Sequence, residues 1–125
     1  MKMTNTIHAA IAGNLTRLME YHDNMSQATL AIKAGVSQKT VSNLLNPGSV
    51  ASIRTDSIEK VATYFRIQPY HLMIPDLPIE ELISKRIEKV VECYAQSLPD
   101  GRENIKRIAE NEVRYCVTEK TGTHD

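Results

Sequence analysis

Between Ser37 and Asn46 the chain reads SQKTVSNLLN. On a helix, the spacing of Gln38, Lys39, Ser42 and Asn43 gathers these four polar side chains on one side, while Val41 and Leu44, three apart, fall on the other. Gln and Asn each carry a donor and an acceptor side by side, a match for the N6 and N7 edge of adenine. Lys donates to guanine acceptors or to phosphate, and Ser bonds to either. A face of this kind suits the major groove of a duplex. A solvated face on an unrelated helical bundle would have the same composition, so the elements that carry these residues must decide between the two.

Those elements are almost entirely of helical period. Ile7, Ile11, Leu15, Leu18 and Met19 share one face of a first helix, which YHDNM ends. Ser26 is a good N-cap for a second helix from Gln27 to about Ala34, burying Leu30, Ala31 and Ala34. Gly35 supplies the left-handed residue after it, Val36 plugs the corner, and Ser37 caps a third helix that Asn46-Pro47-Gly48 stops. Then TDSIEKVATYF reads as a fourth helix, capped by Asp56 or Ser57, and QPYHLM as a short fifth with Pro69 in its first turn. Two short helices joined by a tight glycine turn form a helix-turn-helix, whose second member can present one polar face outward. The unpaired amides at the start of that helix, next to Ser37, also favour a nearby phosphate.

With that corner in place the sequence resembles a family. Gln27, Leu30-Ala31, Gly35-Val36-Ser37, Thr40-Val41-Ser42 and Leu44 look like the helix-turn-helix of phage repressors and Cro, the XRE family, and the resemblance runs from about Ile7 to Met73. It implies an all-α, five-helix lambda-repressor-like domain over residues 1–76. It further implies a transcriptional regulator of phage or prophage type, a repressor that binds double-stranded DNA at a palindromic operator as a homodimer. By position, Gln38, Lys39 and Asn43 would contact base edges, with Ser42 beside them, and Gln27 and Asn46 would hold phosphates together with Ser37. Arg54, in the loop after the third helix, is a further phosphate candidate. Two departures stand out: Asn46-Pro47-Gly48 replaces a glycine directly after the third helix, and Ile32 stands where a charged residue is common.

Residues 77–125 differ in composition and are expected to form a C-terminal helical hairpin with a short tail. LPIEELISKRIEKVVECYAQS sets Ile79, Leu82, Ile83, Ile87, Val90, Val91 and Tyr94 along one stripe; a second helix, introduced by Asp100 and Glu103 at capping-box spacing, carries Ile105, Ile108, Ala109, Val113 and Cys116. Such stripes, appended to an already complete domain, predict a dimer interface. The competing reading is an antitoxin or adaptor that sequesters another protein through these helices.

Charge points the same way. The 125 residues are neutral overall, but residues 1–66 hold seven Lys/Arg against four Asp/Glu, net +3, and residues 67–125 hold eight against eleven, net −3. No signal-like run opens the chain and no segment approaches the roughly 20 apolar residues of a membrane span, so a cytoplasmic protein with reduced cysteines is expected. Cys93 and Cys116 are expected as small apolar fillers. His8, His22, His71 and His124 share no ligand spacing, and no phosphate loop, nucleophile elbow or metal motif is present. Neither enzyme activity, nor a cofactor, nor a metal is expected.

Overall fold

A computed structural model describes residues 6–49 and 52–122, with side chains described over 7–49 and 52–114. The described residues form eight helices and no strand: α1 Thr6–Tyr21, α2 Gln27–Ala34, α3 Gln38–Leu45, α4 Thr55–Phe65, α5 Pro69–Met73, α6 Ile79–Ile83, α7 Arg86–Gln96 and α8 Pro99–Gly122. They divide into two compact units, residues 1–85 and 86–125.

In the first unit, α1 is the central element. Its face of Ile11, Leu15, Leu18 and Met19 is buried, with Leu30 and Ala31 from α2, Val41 and Leu44 from α3, Ile58, Val61 and Ala62 from α4, and Leu72 from α5. Ile7, expected on the same stripe, lies at the open end of α1 and is exposed. α4 starts earlier than expected: Arg54 occupies the N-cap position without a side-chain cap bond, and Asp56 falls inside the first turn. Pro69 does open α5, where Gln68 and His71 form a reciprocal capping box.

A polar clasp extends this unit past its expected end. Asn14, buried on α1, donates through Nδ2 to the carbonyls of Leu72 and Ile74, both at 2.8 Å, and so satisfies the end of α5. Arg17 donates to the side-chain oxygen of Asn14 and, at 2.7 Å, to the carbonyl of Leu77. Leu77 and Leu82 are buried as well. The boundary expected between residues 76 and 77 therefore moves to Lys85, and Leu82, expected at a dimer interface, is instead a core residue of the first unit with no exposed surface. The single stripe expected over residues 77–97 is also broken, because α6 ends at Ile83 and α7 begins at Arg86.

The second unit is a hairpin of α7 and α8. Arg102 reaches back across the turn to the carbonyls of Tyr94 and Ala95, and Ser97 Oγ donates to the Cys93 carbonyl at 2.6 Å. The expected capping box does not form. α8 starts at Pro99, with the Arg102 N–H bonded to the Leu98 carbonyl, so Asp100 lies in the first turn and complements the helix dipole there. No side chain of α7, and none of the described ones of α8, is buried.

Candidate nucleic-acid interface

The geometry of the polar face begins at the corner between α2 and α3. Ser26 caps α2 by accepting the Thr29 N–H at 3.1 Å, and Ser37 caps α3 by accepting the Thr40 N–H at 3.0 Å. Between them Gly35 adopts φ 78°, and its N–H and that of Val36 both bond to the Ala31 carbonyl, closing α2. A Cβ on Gly35 would meet no atom within 4 Å, so what glycine supplies here is backbone conformation and not space.

Val41 and Leu44 anchor α3 from beneath, with 0% and 2% of their surface exposed. Gln38, Lys39 and Ser42 consequently face solvent, and Asn43 is half-buried at the edge of the same face. Among the expected phosphate ligands, Gln27 and Ser37 are exposed at the starts of α2 and α3, where helix amides favour anions. Asn46 is exposed as well, but its side-chain oxygen accepts the Gly48 N–H at 3.1 Å; the Asn-Pro-Gly sequence thus forms a self-closed turn in place of a simple glycine stop. Arg54 shares a recess with Thr40, Asn43, Ser52 and Ser57, which brings it beside the α3 face. It is not unoccupied there. Its guanidinium pairs with Asp56, Nε to Oδ1 at 3.0 Å, a contact that raises the arginine pKa and lowers that of the carboxylate.

Two contributors were not legible in the sequence. His8 on α1 approaches the Asn43 carbonyl through Nε2 at 2.8 Å, engaging one of the last carbonyls of α3. Ser49 donates its hydroxyl to Asn43 Oδ1 at 3.4 Å. The first joins residues 35 apart through tertiary folding and the second joins α3 to the loop that follows it, and no periodic pattern encodes either. Ile32, by contrast, is as conspicuous as expected, with 81% of its surface exposed on α2.

A family model for the Cro/C1-type HTH DNA-binding domain matches residues 14–76, just over half of the chain. The chain belongs to this family. No curated protein and no solved structure matches it. As a Cro/C1-type protein it is an XRE-type, DNA-binding transcriptional regulator, and the matched stretch holds the corner, α3 and the clasp residue Asn14. α6 and the first two turns of α1, including His8, lie outside the match. Among the described residues no helix is long and apolar enough to cross a membrane.

The remaining expected site residues are divided between the two units. Ile83, the last residue of α6 in the first unit, is 43% exposed, and Ile79 is half-buried there. On the hairpin Val90, Val91, Tyr94 and Ile108 are exposed, while Ile87 and Ile105 are half-buried. Cys93 is exposed and not a core filler; the side chain of Cys116 lies outside the described residues.

Proposed function

We propose that this regulator is a repressor of phage or prophage type, working in the cytoplasm without catalysis, cofactor or metal, and binding a palindromic operator as a homodimer. In this reading α3 enters the major groove, Gln38, Lys39, Ser42 and Asn43 contact base edges, and Gln27, Ser37, Asn46 and Arg54 hold the flanking phosphates. The observation that supports it is one chain joining a solvent-facing donor and acceptor face on α3 to a hairpin that buries none of its described side chains. The hairpin needs a partner, and a second copy fits its charge. Residues 86–114 hold six basic side chains (Arg86, Lys89, Arg102, Lys106, Arg107, Arg114) and six acidic ones (Glu88, Glu92, Asp100, Glu103, Glu110, Glu112), so two copies meet without net repulsion. Two linked domains then read half-sites about 34 Å apart on one face of the duplex.

Selecting bound fragments from random duplex DNA tests this reading. An inverted repeat with that spacing is expected, bound by a species of twice the chain mass. Gln38→Ala should cost about 1–3 kcal/mol per half-site and relax one position, whereas Gln27→Ala should weaken all sequences alike. Recovery of a lone, asymmetric site bound by a monomer would overturn the homodimer, and an unchanged preference with Gln38→Ala would overturn the docking.

A further inference from the structure

Asn43, on the α3 face, is held by the protein itself at two points. Its carbonyl is engaged by His8 from α1 at 2.8 Å, and its Oδ1 accepts the Ser49 hydroxyl at 3.4 Å from the loop that follows α3. Gln38, Lys39 and Ser42 are exposed, whereas Asn43 is half-buried against that loop. The first contact fixes where the Asn43 backbone sits relative to α1; the second turns the oxygen of its amide towards the protein.

A free asparagine reads adenine bidentately, because its oxygen accepts from N6 while its nitrogen donates to N7, and both ends must face one base edge. With that oxygen turned towards Ser49, which takes one of its two lone pairs, the end left to face the groove is the amide nitrogen. We propose that Asn43 reads DNA as a donor only, with Ser49 and His8 as its positioning residues, and so selects any base edge that offers an acceptor in place of adenine specifically. In the major groove guanine offers two acceptors, N7 and O6, adenine offers N7 beside its amino donor, and thymine offers O4, so guanine is taken best, adenine and thymine follow, and cytosine, which presents its amino donor, is rejected. This inference rests on the base contact assigned to Asn43 under the proposed function and adds which base class that contact tolerates.

The full-length chain, selected against a random-sequence duplex library, separates the two levels. Asn43→Ala should flatten one position in each half-site; if it flattens none, the underlying base contact is wrong and the inference falls with it. If a position does respond, the unsubstituted chain should prefer guanine there, accept adenine and thymine less well and reject cytosine. Ser49→Ala, a change in a loop outside the core, should release Oδ1 and shift that position towards adenine by about five-fold or more, the low end of what one bidentate pair supplies. Other positions should keep their preferences. His8→Gln, whose amide nitrogen reaches about as far as Nε2, should retain the original base preference, whereas His8→Asn, which is shorter, should blur it. A strong adenine preference in the unsubstituted chain that Ser49→Ala leaves unmoved would overturn the inference while leaving the Asn43 contact standing. Identical preferences for His8→Gln, His8→Asn and the unsubstituted chain would remove His8 from the positioning role.

Discussion

The two units of this chain are built from similar helices and differ in what those helices enclose. Residues 1–85 surround α1 with buried side chains from five other helices and complete the enclosure with the Asn14 and Arg17 clasp. Residues 86–125 hold a hairpin that leaves Val90, Leu98, Ile108 and Val113 each 60% exposed or more. Isolated helices in water are marginal, and most helical stability in proteins comes from packing an apolar face. The first unit therefore carries its own reason to fold. The second carries no such core among its described side chains, which is why the proposed association is placed there.

The largest test of that contrast is to cut between the units. A chain ending at Lys85 should keep a cooperative helical melt, sediment as a monomer and lose about 10²–10⁴-fold in operator affinity, the gain that a linked second domain provides. A chain ending at Asp76 should do worse on stability as well, because it removes the Leu77 carbonyl that Arg17 binds and the buried Leu82. Equal melting temperatures for the two truncations would show that α6 adds nothing to the first unit. Undiminished operator affinity at Lys85 would pass the hairpin to another kind of partner.

A single residue sharpens the same boundary. Leu82→Ala removes a side chain that is 0% exposed and should cost about 2–5 kcal/mol by loss of burial and creation of a cavity. Because Leu82 packs within its own unit, that loss should not vary with protein concentration. Val90→Asp, on a residue 60% exposed in the hairpin, should by contrast leave the first unit's melt within about 0.5 kcal/mol and shift the proposed dimer towards monomer. Melts and sedimentation over a range of concentrations distinguish the two.

How much of this was legible in the residues follows from which signals are local. The corner was readable because Ser26, Gly35 and Ser37 each act within four residues of their own position, through caps and one left-handed φ. The inward pair Val41 and Leu44 follows from helical period, and with it the outward placement of Gln38, Lys39 and Ser42. Leu82 was misplaced for a related reason. Period places a residue on a face but does not say which neighbour takes that face, and the break at Ser84-Lys85, which hands Leu82 to the first unit, has neither proline nor glycine to announce it. Asn14, His8 and Ser49 were illegible because their partners lie 58, 35 and 6 residues away and are mostly backbone carbonyls, which every residue possesses.

Within the first unit, Gly35 allows the local part of that reading to be measured. Gly35→Ala meets no steric obstacle, since nothing lies within 4 Å of the added Cβ, yet the residue must hold φ 78°. The cost should be about 1–2 kcal/mol, from the left-handed conformation alone. Gly35→Asn should cost less, because asparagine tolerates this region better. Equal losses for the two in chemical denaturation would mean that the corner is strained by contact after all.

The smallest effect expected lies on the surface of the first unit, at Arg54 and Asp56. Both are exposed, so their ion pair contributes little to stability. What it does contribute follows the carboxylate, whose folded pKa is lowered chiefly by its hydrogen bond with Arg54. That contribution is complete above the ordinary aspartate pKa, near about 3.9, and is lost as the pH falls through the lower folded value, so it is fully present at neutrality. For DNA the sign is reversed. With Arg54 as the proposed phosphate ligand, Asp56 would compete with phosphate for its guanidinium, beside the recess that Arg54 lines with Thr40 and Asn43. Asp56→Asn should therefore strengthen operator binding a few-fold at low salt and make the affinity fall more steeply with salt, by up to about one further released counterion per domain. Arg54→Ala should shift the slope the other way. Should Asp56→Asn leave both affinity and salt slope unchanged, Arg54 would belong to the protein's own surface pairing and not to the phosphate contacts.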